Sequence, residues 1–538
     1  MKKILILLIV LISFSLRFYR LSDYPALNAD EAAIGYNAYS LIETGKDEHG
    51  NPWPIHFQSF NDFKPGLYFY LVIPFVKFLG LNEWAVRIPG ALLGVATVFL
   101  LYLLVRQMFK DERLALVSSF FLAISPWHIH FSRGGWEVNT ATFFIVLGLW
   151  LFIKALEKPK FFFLSAVSFA LSLYTYHVAR VMVPLLVAGL TLIYFKRIKT
   201  SIKHLLVAGA IALVLLFPLV RDVTKGEVSS RAAGVGLFAD TGPLARIEEQ
   251  RGEHKSYQGF IARIIHNKPV NYGLAFAKNW LAHFEGEFLF VSGDVIQRNK
   301  VPETGQMYIL DFLFLVFGFV FIAKRPKGWK PTLFWLLVAP AGAALTFQSP
   351  HALRAQNMVI PLVVISAYGL ISLSQALHSF FDKKVLKIIF ATFLVFIGIG
   401  YARYLHMYWV HMAKEYPFSS QYGVKELVSY VEENKDKFKK VWVTDRYDQP
   451  YILFLFYTKY SPQKFQKEHV LSPRDKYGFS TVKDFEKYHF EAIDFDRIRP
   501  DNPNTLIVGT DEEIHNEANI VKRVYGTNGY LYFEAVAN

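Results

Sequence analysis

Cysteine is absent from the 538 residues, which excludes disulfides, thiolate metal sites and a cysteine nucleophile. No internal repeat is evident, which weighs against the inverted-repeat transporter designs. No glycine-rich phosphate loop of the P-loop or dinucleotide type is present, which argues against a soluble nucleotide as direct group donor. The long apolar runs hold few charged residues, whereas transporters and pumps usually carry ionisable groups along a path inside the membrane. Carboxylates are the minority charge: 44 Asp and Glu stand against 58 Lys and Arg, a net +14. That balance would suit nucleic acid if it were concentrated, but most of it lies in short loops between apolar runs, so no nucleic-acid partner is expected.

Apolar residues make up 53% of the chain, in blocks of roughly 17 to 25, the length that spans a hydrocarbon core about 30 Å thick. The pattern predicts a polytopic α-helical membrane protein. Candidate spans are 4–20, 84–105, 114–131, 138–153, 161–176, 181–195, 204–220, 307–323, 331–347, 355–377 and 385–403, about eleven transmembrane helices. No small-x-small cleavage site follows the first, and Arg17, Tyr19 and Arg20 suit interfacial anchors, so it is expected to be retained. The run 65–81 contains Pro74 and Lys77. Basic clusters such as Arg106, Lys110 and Arg113, or Lys196, Arg197, Lys199 and Lys203, fall on one side with Lys2 and Lys3 only if 65–81 does not cross. It is therefore expected to be an interfacial helix in a first outer loop, 21–83. The reading is a multi-pass inner-membrane (plasma-membrane) protein with a cytoplasmic N-terminus, a membrane domain over 1–403 and a large outer loop over 221–306.

From about 404 the chain turns polar and reads as a small extracytoplasmic α/β domain, 404–538. VKELVSYVEENKDKF suggests a helix, KKVWVTD a strand and QPYILFLFYTKY a buried helix. TLIVGTD, NIVKRVY and GYLYFEAV suggest further strands, the last two joined by the turn Gly526–Gly529.

The outer face holds the unusual residues. NADEAAIGYNAYSL, 28–41, sets Asp30 and Glu31 at a helix start. Asn28-Ala-Asp-Glu31 fits a capping box with Asn28 as N-cap and Glu31 at N3, which accounts for Glu31 structurally but leaves Asp30 unused. The same surface carries Lys64, His130 and Arg133, His177 and Arg180, Arg298, and His351 and Arg354. Singly each fits an interfacial anchor. Together, with few carboxylates nearby, they suggest an anion at the membrane surface, and the natural one is a lipid phosphate.

If that phosphate carries a sugar, it leaves readily once Lys or Arg neutralises its developing charge. No acid is then needed at the leaving group, unlike glycoside hydrolysis. One base for an acceptor hydroxyl suffices. A single carboxylate facing many cations predicts single displacement with inversion.

LSDYPALNADEAAIGYNAYSLIETGKDEHGNPWP and DFKPGLYFYLVIPFVKFLGLNEWAVRIPGALLG, followed by HFEGEFLFVSGDVIQRNKVPETGQMYILDFLFLVFG and SPHALRAQNMVIPLVVISAYG, resemble the C-type membrane glycosyltransferases. The nearest branch in that resemblance is the bacterial protein O-mannosyltransferase and aminoarabinose transferase group, within the dolichyl-phosphate-mannose-protein mannosyltransferase superfamily. The resemblance implies a polyprenyl-phosphate sugar donor, transfer on the outer face and Asp30 as base with Glu31 beside it. Lys64 would touch the donor phosphate, although Lys64-Pro65-Gly66 stands where relatives read Lys-Pro-Pro. His351 and Arg354, with Arg133 and Arg298, would be further phosphate contacts, and His130, His177 and Arg180 substrate contacts. A divalent metal is used by some relatives; Asp47 and His49 are candidate ligands, and a loop turn at Gly50-Asn51-Pro52 explains them equally. The expected function is transfer of a sugar to an acceptor hydroxyl on protein, lipid or cell-envelope glycan. The alternatives are a lipid-linked glycan flippase or a non-catalytic glycolipid-binding protein.

Overall fold

The computed structural model describes residues 2–59, 62–224, 234, 236–417, 419, 421–473, 480–515 and 518–538. The apolar runs wind into helices, which satisfy their own backbone groups where no water reaches. Among the described residues, five helices are long and apolar enough to cross a membrane: Glu83–Phe109, Glu137–Ala155, Phe195–Val223, Gln356–Leu377 and Lys383–Glu415. A sixth results if Glu112–Ile124 and Pro126–Ser132, bent by 58° at their break, count as one span. The bend follows from Pro126, which lacks an amide donor and holds Ser125 extended (φ −60°, ψ 125°).

The eleven expected spans are not matched one for one. Apolar runs at 67–79, 161–173, 179–193 and 309–322 form helices of 10–17 residues. At 1.5 Å per residue these reach roughly 15–25 Å, short of a core about 30 Å thick. The run expected to lie along the interface forms Leu67–Leu79, a 13-residue helix of this short class that stops at Gly80 (φ 77°).

The chain divides into two compact units. The first comprises Met1–Leu16, Leu93–Phe131 and Val138–Tyr404; the second comprises Arg17–Leu92, Ser132–Glu137 and Leu405–Asn538. Within the first, Ile309–Ile322 and Val359–Leu377 meet through small residues. A Cβ placed on Gly369 would lie 1.8 Å from the Phe314 carbonyl oxygen, and one on Gly318 2.4 Å from that of Ile365. Backbones that approach this closely pack by dispersion, the main attraction left between helices in lipid.

The second unit is built on a mixed sheet. A short antiparallel pair comes first, β1 (His56–Ser59) with β2 (Asp62–Pro65). The main sheet has β3 (Lys440–Val443), β4 (Val470–Leu471), β5 (Val482–Phe485), β6 (Tyr488–Phe490), β7 (Thr505–Gly509), β8 (Ile520–Tyr525) and β9 (Leu531–Ala537). Its order is β4-β5-β6-β3-β7-β9-β8, with β3 parallel to both β6 and β7 and the remaining pairs antiparallel. The helices Val424–Asn434 and Pro450–Thr458 lie where the hydrophobic pattern sets them. β4, β5 and β6 have no clear alternation and escape the pattern.

One core joins segments far apart in the chain. Ala33, Tyr36, Phe69 and Val72 from the first loop pack in the same apolar cluster as Val428, Leu455, Phe456 and Phe465. Helix Ala29–Thr44 can sit inside it because its faces are small. At Gly35 an added Cβ would meet Phe456 at 2.6 Å and Val86 at 2.7 Å. Gly35→Val is expected to destabilise the protein by about 1–3 kcal/mol through overpacking, read as a lowered melting temperature of the purified protein.

Candidate active site

The capping box forms. The Asn28 side chain accepts the Glu31 amide at 3.0 Å, and the Glu31 carboxylate reaches back to the Asn28 amide at 3.3 Å. Glu31 does more than cap. Its Oε1 and Oε2 each accept a 2.7 Å bond from Arg87, through Nε and Nη2, and Oε1 also accepts the Gly135 amide at 2.8 Å. Arg87 in turn donates to the carbonyls of Leu21 (2.9 Å), Pro25 (2.8 Å) and Ala26 (3.1 Å). Glu31 is 1% exposed and Arg87 fully buried. This carboxylate holds the entry loop, and its oxygens are occupied. Arg87 is absent from the sequence reading; the signal was a lone arginine in the apolar stretch NEWAVRIPG, where a buried charge requires a partner.

Asp30 differs although it is the adjacent residue. One residue turns a helix by about 100°, so its carboxylate leaves the buried pair and keeps 24% of its side-chain surface. It ion-pairs with the Lys64 ammonium, whose side chain is 9% exposed. Lys64 sits on β2, fixed opposite Phe57 by the register of the β1–β2 pair. Thus the expected base and the expected phosphate contact are neighbours.

Arg133, expected as a phosphate contact, is held by the entry loop. Its Nε donates to the Tyr408 hydroxyl at 2.9 Å, and Nη1 and Nη2 donate to the carbonyls of Arg17 (3.2 Å), Tyr19 (2.8 Å) and Tyr24 (3.1 Å). The guanidinium also lies 4.8 Å from the Trp409 ring centre. It is a buried clamp on the 17–24 loop, because those carbonyls have no strand or helix to pair with.

In the first unit two of the expected residues touch, and a third lies against a buried aspartate. His130 Nε2 contacts the Arg298 carbonyl at 2.8 Å. His351 Nδ1 lies 3.7 Å from Asp294 and 3.5 Å from the Asn299 amide. Asp294, which the sequence reading passed over inside FVSGDVIQRN, is fully buried and accepts the Ala352 amide at 2.6 Å and the Asn299 side chain at 3.0 Å. Burial raises its pKa, opposed by those bonds and the Ile296 amide. His283 accepts the His351 amide through Nε2 at 3.2 Å and pairs with the Asn279 carbonyl through Nδ1 at 2.8 Å. Burial pushes it down to about 4, so it stays neutral as that acceptor role requires. Arg354 donates to Thr346 at 2.7 Å. His177 and Arg180 contact each other at 3.1 Å, in a separate turn.

Asp47 and His49 do not fit a metal. Asp47 accepts the amides of His49 (3.0 Å) and Asn51 (2.7 Å) and the Asn51 side chain (2.9 Å), closing the turn at Gly50. Among the described residues no group of three His, Cys, Asp or Glu side chains is disposed to hold a metal ion.

Comparison with known proteins adds to this geometry. Residues 64–220 match the family described as dolichyl-phosphate-mannose-protein mannosyltransferase. The chain is 29% identical over 149 residues to "Putative mannosyltransferase YkcB" of Bacillus subtilis strain 168, covering 27% of this chain and 20% of that protein. It is also 29% identical over 221 residues to an uncharacterized protein of Aquifex aeolicus strain VF5, covering 40% of this chain and 42% of that protein. The matches thus span less than half the length of these relatives. The crystal structure of ArnT from Cupriavidus metallidurans bound to undecaprenyl phosphate superposes with a TM-score of 0.53 at 11% identity, over 99% of this chain and 97% of that one. Its apo state gives 0.55 at 12% identity, over 98% and 97%. At this identity the likeness is one of fold. The chain resembles the C-type membrane glycosyltransferases in sequence over part of its length and in fold over nearly all of it.

Breaking the buried pair leaves an uncompensated charge, so Arg87→Ala is expected to cost about 3–5 kcal/mol of stability. Asp30→Asn removes the charge facing the mostly buried Lys64 ammonium but keeps an acceptor for it, and is expected to cost less, about 1–3 kcal/mol; thermal unfolding of the two variants checks the contrast. A histidine at about 4 in the fold and near 6.5 when unfolded takes up its proton in the unfolded state first. Its stabilising contribution is full above about pH 6.5 and is lost as pH falls toward 4, roughly 2 kcal/mol between pH 7 and pH 5. His283→Gln is expected to flatten that part of the stability–pH curve.

Proposed function

We propose that the chain is an integral membrane glycosyltransferase that moves a sugar from a polyprenyl-phosphate carrier to an acceptor hydroxyl. The observation that carries this reading is the pairing of Asp30 with Lys64, one carboxylate and one ammonium at a helix start. The family match, the relative named as a mannosyltransferase and the shared fold with a protein that binds undecaprenyl phosphate support the class.

Asp30 accepts the proton of the acceptor hydroxyl as its oxygen attacks the anomeric carbon. The bond from that carbon to the phosphate oxygen breaks in the same step, and the carrier leaves as polyprenyl phosphate. Lys64 compensates the charge that develops on the phosphate, turning from the carboxylate it holds in the resting state. One displacement inverts the anomeric carbon. Glu31 does not react; with Arg87 it fixes the turn from which Asp30 projects. Arg298, His351 and Arg354 are further proposed phosphate contacts; in the first unit His351 lies beside Asp294 and Arg354 donates to Thr346. A cavity of about 820 Å³ in that unit, lined by residues such as Phe121, Phe290, Phe312, Phe396 and Tyr404, suits an isoprenoid chain. The positive-inside bias of the basic loops supports transfer on the outer face of the inner membrane, with the N-terminus inside.

Purified protein offered a panel of polyprenyl-phosphate sugars is expected to consume one of them. Asp30→Asn should then lower turnover about 10²–10⁴-fold while the donor still binds, and Lys64→Met should weaken donor binding. Undiminished transfer by Asp30→Asn would falsify the mechanism. Binding without consumption across the whole panel favours a carrier or binding protein instead.

A further inference from the structure

Helix Ala29–Thr44 begins with amides that have no partner inside the helix, as every helix does. Asn28 satisfies the amide of Glu31. The amide of Ala29, immediately before Asp30, is satisfied from far along the chain by the side-chain oxygen of Gln421. The rest of that side chain is held as firmly: Gln421 Nε2 donates to the carbonyls of Tyr447 and Asp448, each at 3.0 Å. Gln421 is 7% exposed and Ala29 2% exposed, so water competes little for these bonds.

The backbone around this contact is strained. Gln421 (φ 52°), Asp448 (φ 54°) and Gln449 (φ 32°) all adopt the left-handed region, which non-glycine residues seldom enter. Such conformations persist where the surroundings over-determine them, and they concentrate at working sites. A second tie grips the same helix further along. The buried Glu48 carboxylate accepts both the Asn37 side chain at 3.2 Å and the Tyr451 hydroxyl at 3.0 Å.

We infer that Gln421 is a positioning residue for the transfer: the stretch beyond residue 404 sets the Asp30 carboxylate by anchoring the amide beside it. This rests on the reading of Asp30 as base. Gln421 touches no reacting atom, and its effect passes through the Ala29 amide to the direction in which Asp30 leaves the helix. Small misplacements of a reactive group lower turnover steeply without weakening substrate binding.

The test uses the full chain in detergent or nanodiscs. Gln421→Leu removes the acceptor oxygen at similar volume; Gln421→Glu keeps an acceptor at the same reach. In the Leu variant, kcat is expected to fall about tenfold or more with the donor KM within about twofold. Hydrogen–deuterium exchange over 28–32 should quicken about tenfold or more in that variant. The Glu variant keeps the acceptor for the Ala29 amide but loses the donor to the Tyr447 and Asp448 carbonyls, so it should recover part of both. Wild-type kcat in the Leu variant overturns the inference, whatever the exchange does. So does a joint fall of kcat, KM and melting temperature in both variants, which marks a merely structural contact. If the wild type transfers no sugar at all, the functional reading fails and the inference with it, while the exchange rates still report whether Gln421 holds the Ala29 amide.

Discussion

The buried pair of Glu31 and Arg87 is the constraint on which the rest of the candidate site depends. Two opposite charges taken out of water are costly unless every lone pair and proton is matched. Here they are matched by the capping amide of Asn28, the amide of Gly135 and three carbonyls of the entry loop. That requirement brings together the loop at 21–26, the start of helix Ala29–Thr44, the residues near 87 and the turn at 135. Arg133 does the same for the 17–24 carbonyls. Two arginines thus stand in for the secondary structure that the entry loop lacks.

The division of labour between adjacent carboxylates follows from helix geometry. About 100° of rotation separates one side chain from the next. Glu31 points into the protein and is held; Asp30 points toward Lys64 and keeps access to solvent. The immobile Glu31 fixes the turn that bears Asp30, so the Asp30 carboxylate is held in direction. Placing Lys64 on a strand rather than a free loop gives the ammonium the same advantage.

The stretch beyond 404 is more than an appendage. Its sheet and helices share one apolar core with the first-loop helices, and the small residues of 29–38 make that burial feasible. Polar ties at Ala29 and Asn37 add register to the packing. In the first unit, by contrast, the polar residues organise around the buried Asp294, with His351 and Asn299 against it and a neutral His283 supporting the His351 amide.

What the sequence by itself determined was local and periodic. The capping box at 28–31 was legible because its partners are three residues apart, and the apolar runs, the helix at 424–434 and the strands at 505–509, 520–525 and 531–537 were legible from their spacing. Asp30 and Lys64 were singled out by residue type, but their contact was not, because 34 residues separate them. The short strands β4 to β6, the helix ends that leave several apolar runs too short to span, and the clamp role of Arg133 came only from the tertiary structure. So did Arg87 and Asp294. The physical reason is the same in each case: a buried charge or unpaired carbonyl takes its partner from whatever the fold brings within about 3 Å, and spacing along the chain does not encode that choice.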